Sequence, residues 1–100
     1  FDRTVGMVVE WARNNGETLV IVLADHETGG LTLVGGDKEE QKVVGKFSTN
    51  GHSGLLIPVY SFGPGAKLFG GIYDNTDIYH KITQLLSTSS SVSHKSGIFE

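Results

Sequence analysis

Seven residues constrain this chain more than any others. Thr18–Ala24 reads TLVIVLA, a mostly β-branched apolar run, and it ends directly on Asp25-His26-Glu27-Thr28-Gly29-Gly30. An apolar run without alternation describes a strand buried on both faces, as in a parallel sheet covered by helices. In open α/β sheets ligands bind beyond the carboxyl ends of the strands, where the polar segment begins. Asp25 and His26 set an anionic oxygen beside an imidazole. On an extended backbone neighbours point to opposite faces, so both reach one ion only if the chain turns there. Gly29 and Gly30 help such a turn.

The flanking sequence supplies further elements. Phe1, Val5, Val8, Val9 and Ala12 fall at helical spacing, and Gly16 offers a left-handed stop. Leu31–Val34 reads as a short strand between glycine pairs, and the polar stretch from Gly35 to Lys46 as a solvated loop. Leu55–Phe62 reads as a further strand, with Pro58 confining it to an edge, a strand start or a bulge. Gly63-Pro64-Gly65 is a turn. Asp74, Asn75 and Thr76 can cap a helix over about Thr76–Leu86, whose Ile78, Ile82, Leu85 and Leu86 would pack on the sheet. Helix, turn and buried strand make half of a βαβ unit. The expected class is α/β: a fragment of a three-layer sandwich with a mostly parallel or mixed sheet flanked by helices. Residues 1–86 would form this domain, and the serine-rich residues 87–100 a flexible tail.

Composition narrows the function classes. With 100 residues there is room for one domain, and 38% hydrophobic content is globular. The absence of cysteine removes disulfides, thiolate zinc sites and cysteine nucleophiles together. A net charge of −3 argues against a nucleic-acid groove, which needs a basic footprint. No apolar run approaches the roughly 20 residues that span a bilayer. A central strand cut from a larger sheet exposes edges and apolar area, so self-association or a homodimer is expected.

The chemistry-bearing residues are few. Zinc accepts imidazole nitrogen and carboxylate oxygen, and a catalytic zinc keeps one position open. Asp25 and His26 suit that donor set. They equally suit a turn cap and a hydrogen-bonded imidazole. His52, in Gly51-His52-Ser53-Gly54, reads as a ligand approached closely by backbone or as a loop histidine. Glu27 reads as a general base, an acceptor behind His26 or a solvated carboxylate. Ser53 lacks the G-x-S-x-G elbow of a nucleophilic serine. His80 and His94 are assigned no role.

Thr18–Gly30 resembles the TLVIVTADHETGG segment of bacterial alkaline phosphatases. Gly51-His52-Ser53-Gly54, then Ile57-Pro58-Val59-Tyr60 and Gly63-Pro64-Gly65-Ala66, resembles their later GHTG and GPGA stretches in the same order. Asn75-Thr76-Asp77-Ile78 resembles the opening of their last helix. The resemblance implies that Asp25 and His26 are ligands of the zinc that activates the nucleophile. It implies that His52 is a ligand of a second zinc, which stabilises the leaving oxygen, with magnesium nearby. It also implies hydrolysis of phosphate monoesters through a phosphoserine intermediate, in a periplasmic or secreted setting. Leu23 stands where the family usually has Thr, near the magnesium, and Ser53 replaces another Thr.

Phe1 opens directly into a helical pattern, so the chain reads as an internal or C-terminal piece of a longer protein, and the resemblance implies the C-terminal part. The nucleophile, the phosphate-binding arginine and the other zinc ligands would lie upstream, leaving this piece inactive alone. The alternatives are a non-catalytic metal-binding or structural fragment, or part of a related phosphodiesterase or sulfatase.

Overall fold

The structure, a computed structural model, describes residues 1–90. The expectations for residues 91–100, including the end of the serine-rich tail and His94, lie outside the described residues. The chain divides into two compact units. One comprises Phe1–Val22 together with the chain from Val59 onward, and the other comprises Leu23–Pro58.

In the first unit, helix α1 spans Asp2–Asn15 and stops where the Gly16 amide donates to the Ala12 carbonyl. Asp2 in its first turn and Arg13 in its last both complement the helix dipole. Strand β1 covers only Val20–Val22 of the expected Thr18–Ala24. It pairs antiparallel with strand β6, Tyr60–Phe62, with Ile21 opposite Ser61. A 3-10 turn over Ala66–Phe69 follows, and helix α2 runs Asp77–Ser90. Lys81 Nζ donates to the Leu68 carbonyl at 2.9 Å and sits 4.2 Å from the centre of the Tyr73 ring. These contacts fasten α2 to the 3-10 turn. Among the described residues the buried apolar side chains are Ala12 and Phe69.

Gly63 is the tightest point of this unit. Its φ is +101°, and a Cβ built there would lie 2.1 Å from the Thr18 carbonyl oxygen. The turn into the 3-10 segment therefore depends on the missing side chain.

In the second unit, strands β2 (Glu27–Thr28) and β5 (His52–Ser53) pair antiparallel. Strands β3 (Thr32–Asp37) and β4 (Lys42–Lys46) form a hairpin with a register shift between Leu33 and Gly35. The stretch expected to be a solvated loop is thus half of a hairpin. Its register sets Leu33, Gly36, Val43 and Gly45 on one face, and Asp37, Lys42 and Lys46 on the other.

The class α/β stands, and the described strands do not by themselves supply the finer architecture. Every strand pair among the described residues is antiparallel and two-stranded, so no mostly parallel sheet and no three-layer sandwich is formed by them. A parallel neighbour needs a crossover of a dozen or more residues. After β1 the chain instead spends that length on two small antiparallel pairs, then returns as β6 beside β1 in the opposite direction.

Two glycine substitutions should move stability in opposite directions. Gly6 lies inside α1 with nothing within 4 Å of its would-be Cβ, so Gly6→Ala should stabilise by about 0.5–1 kcal/mol. Gly63→Ala should destabilise by about 1–3 kcal/mol or more. Urea midpoints of the two variants check this, and equal shifts would contradict it.

Candidate functional site

The site is built from a two-residue ladder and the turns beside it, all within the second unit. The backbone bends at Asp25 and His26 before entering β2, which supplies the turn that a shared ion requires. Asp25 Oδ1 accepts from the His26 backbone N–H at 3.1 Å. Register then sorts the side chains. Thr28 lies opposite His52, and Glu27 opposite Ser53. Because alternate residues share a face, His26, Thr28 and His52 fall on one side of the ladder, and Glu27 and Ser53 on the other.

On the first side the two imidazoles stack, with ring centres 3.5 Å apart and planes inclined by 25°. His26 Nδ1 is 3.0 Å from the Glu27 carbonyl oxygen. A carbonyl only accepts, so this is a hydrogen bond in the tautomer with Nδ1 protonated. That leaves the Nε2 lone pair facing Asp25 Oδ2 at 3.4 Å. Two acceptors at this distance repel unless a proton or a cation stands between them. The Asp25 side chain is 87% exposed, so the pair is open to solvent and to an incoming ion. As a salt bridge with a protonated His26 it would contribute little to stability.

On the second side Glu27 is saturated. Its two carboxylate oxygens each accept from the Gly30 N–H at 2.8 Å, Oε1 also accepts from the Leu31 N–H at 3.3 Å, and Oε2 accepts from the Ser53 hydroxyl. The Ser53 hydroxyl, first, and the Gly30 amide hold the Glu27 carboxyl below its ordinary value of 4.5. With its lone pairs used, Glu27 is not placed as a general base. The turn is tied down further by its glycines. Gly29 has φ +79°, donates to the Gly51 carbonyl at 2.8 Å, and leaves no room for a Cβ, which would lie 2.7 Å from the Phe47 ring.

The structure thus gathers Asp25, His26 and His52 at one place. It does so as a facing pair plus a stacked ring. Among the described residues no group of three or more His, Asp or Glu side chains converges as a ready-made ion site. His80 stays on α2, its ring edge-on to Tyr79. The Glu27–Ser53 link, between residues 26 apart in the sequence, carried no signal in the sequence beyond the polarity of each.

No family model matches the chain. Individual proteins do, and they define one class, the alkaline phosphatases. Among solved structures, the alkaline phosphatase from the Antarctic bacterium TAB5 aligns at 46% identity and TM-score 0.72, covering 83% of this chain and 26% of that one. A variant of the TAB5 enzyme with Mg bound in its M3 site aligns at 43% identity and TM-score 0.73, covering 84% of this chain and 27% of that one. Alkaline phosphatase 3 of Bacillus subtilis is 35% identical over 49 residues, which is 49% of this chain and 11% of the relative. The Escherichia coli alkaline phosphatase is 28% identical over 85% of this chain and 21% of its own length. The chain is an alkaline-phosphatase-like segment, and it spans about a fifth or less of the curated relatives it matches.

The lowered Glu27 value fixes a pH signature. A carboxyl depressed in the folded state contributes stability above its unfolded value, and that contribution is lost as pH falls through the folded value. The Gly30 and Leu31 amide resonances should therefore shift with a midpoint below 4.5. In Glu27→Gln the inflection should vanish. An inflection at or above 4.5 in the native chain would contradict the assignment.

Proposed function

We propose that this chain is the C-terminal part of a zinc-dependent alkaline phosphatase. The parent would hydrolyse phosphate monoesters through a phosphoserine intermediate, with Asp25 and His26 holding one zinc and His52 a second. One observation supports this most: Asp25 Oδ2 and His26 Nε2 face each other at 3.4 Å. Two donors each roughly 2.0–2.1 Å from a tetrahedral zinc lie about 3.3 Å apart, so the pair suits adjacent ligand positions. The Glu27 carbonyl on Nδ1 is the outer contact that fixes a metal-binding tautomer. His52, its ring stacked on His26 with centres 3.5 Å apart, is the donor assigned to the second ion. When bound, such ions neutralise charge on the phosphoryl oxygens of an in-line displacement.

Within this chain the residues bind and orient. Asp25 brings the anionic charge, His26 offers Nε2 as the donor atom beside it, and His52 is held next to His26 by the β2–β5 register. The reading carries a magnesium ion in the parent, to which Leu23 offers no donor atom where the family usually has Thr, a periplasmic or secreted setting, and a mostly parallel or mixed three-layer sheet completed by the rest of the parent. No helix among the described residues is long and apolar enough to cross a membrane.

A second reading is a folded, non-catalytic metal-binding piece. It draws on the two donors that face each other, Asp25 and His26, fewer than the four of a closed structural zinc site and suited only to loose binding.

Zinc titration of the 100-residue chain by calorimetry should show binding weaker than nanomolar. Asp25→Ala and His26→Ala should each abolish the tighter step, and the chain should not turn over a chromogenic aryl phosphate. Affinity unchanged in both variants would overturn the ligand assignment, and chelator-sensitive turnover would overturn the fragment reading. Self-association follows from exposed apolar side chains such as Phe1 (90%), Ile72 (85%) and Leu56 (76%). Sedimentation should show oligomers that grow with concentration. A monodisperse monomer throughout would contradict this.

A further inference from the structure

We propose that Glu27 is a positioning residue that sets the two imidazoles against each other. This rests on the metal-site reading for its functional meaning and on the hydrogen-bond geometry for its substance.

A ladder of two residues per strand is marginal by itself. Something further has to fix His52 against His26, because their stacking joins strands far apart in sequence. The Glu27 carboxylate lies on the opposite side of that ladder and takes three different donors. Two of them, the Gly30 and Leu31 amides, close the turn that leaves β2. The third, the Ser53 hydroxyl, belongs to the residue beside His52. The main-chain carbonyl of Glu27 itself accepts from Nδ1 of His26. Glu27 therefore holds both rings: His26 through its main chain, and His52 through Ser53. A carboxylate offers about four acceptor directions, and four contacts use them. Alanine would leave the Gly30 and Leu31 amides without this acceptor and cut the tie to β5. Glutamine keeps one oxygen for the amides and can donate from its nitrogen to the Ser53 oxygen, so the link persists in altered form.

The test uses the 100-residue chain, first without metal and then with Zn2+ alone. Nuclear Overhauser contacts between the His26 and His52 ring protons report the juxtaposition. Calorimetry reports zinc affinity. The native chain and Glu27→Gln should show the ring contact. Glu27→Ala should lose it and bind zinc roughly 10–100-fold more weakly. Ser53→Ala should lose the ring contact while the Gly30 amide keeps its exchange protection, and Ser53→Thr should retain both. A ring contact that survives in Glu27→Ala or in Ser53→Ala overturns the proposal, as does its absence from the native chain. Should Glu27→Ala lose its helical circular dichroism, the milder Ser53→Ala decides. Ring contacts that follow this pattern without zinc binding would sustain the positioning role and overturn the metal-site reading.

Discussion

The period of two along a strand governs this site. One short antiparallel ladder, Glu27–Thr28 against His52–Ser53, sends imidazoles to one side and a carboxylate–hydroxyl link to the other. A slip of one residue would exchange the two sets. The chemistry of the exposed side therefore depends on hydrogen bonds made on the other. Those bonds converge on one carboxylate, which explains how so small a pairing can hold a defined register.

The glycines act on the same ladder. At Gly29 the backbone takes a left-handed conformation against the Phe47 ring and bonds to the Gly51 carbonyl. A side chain there would push apart the two segments that carry His26 and His52. The abundance of glycine read from the sequence thus has a local meaning, the close approach of two backbones behind a pair of rings.

Parts of this were legible in the sequence and parts were not. The α1 stripe of Val5, Val9 and Ala12 with Gly16 after it marks a helix that the structure contains, because helical periodicity is a local property. The segment Asp25–Gly30 stood out because acidic, imidazole and glycine residues followed a strand-like run. The direction of the strands was not legible. An apolar run such as Leu19–Leu23 states that a strand can be buried, and says nothing of its partner; here that partner is Tyr60–Phe62, antiparallel. The β3–β4 hairpin was hidden by Gly35 and Gly36, which weaken strand propensity, and by a charged turn that reads as loop. The link from Glu27 to Ser53 is a long-range contact, and no pattern within either segment encodes it.

The central claim is that Asp25, His26 and His52 lie close enough together to hold metal ions through carboxylate and imidazole donors. X-ray absorption at the zinc edge of the zinc-loaded chain tests it most directly. The account predicts nitrogen and oxygen neighbours at roughly 2.0–2.1 Å with the outer-shell scattering of bound imidazole, reduced in His26→Ala and in His52→Ala. A spectrum of zinc surrounded only by water oxygens, the same in all three proteins, would contradict it.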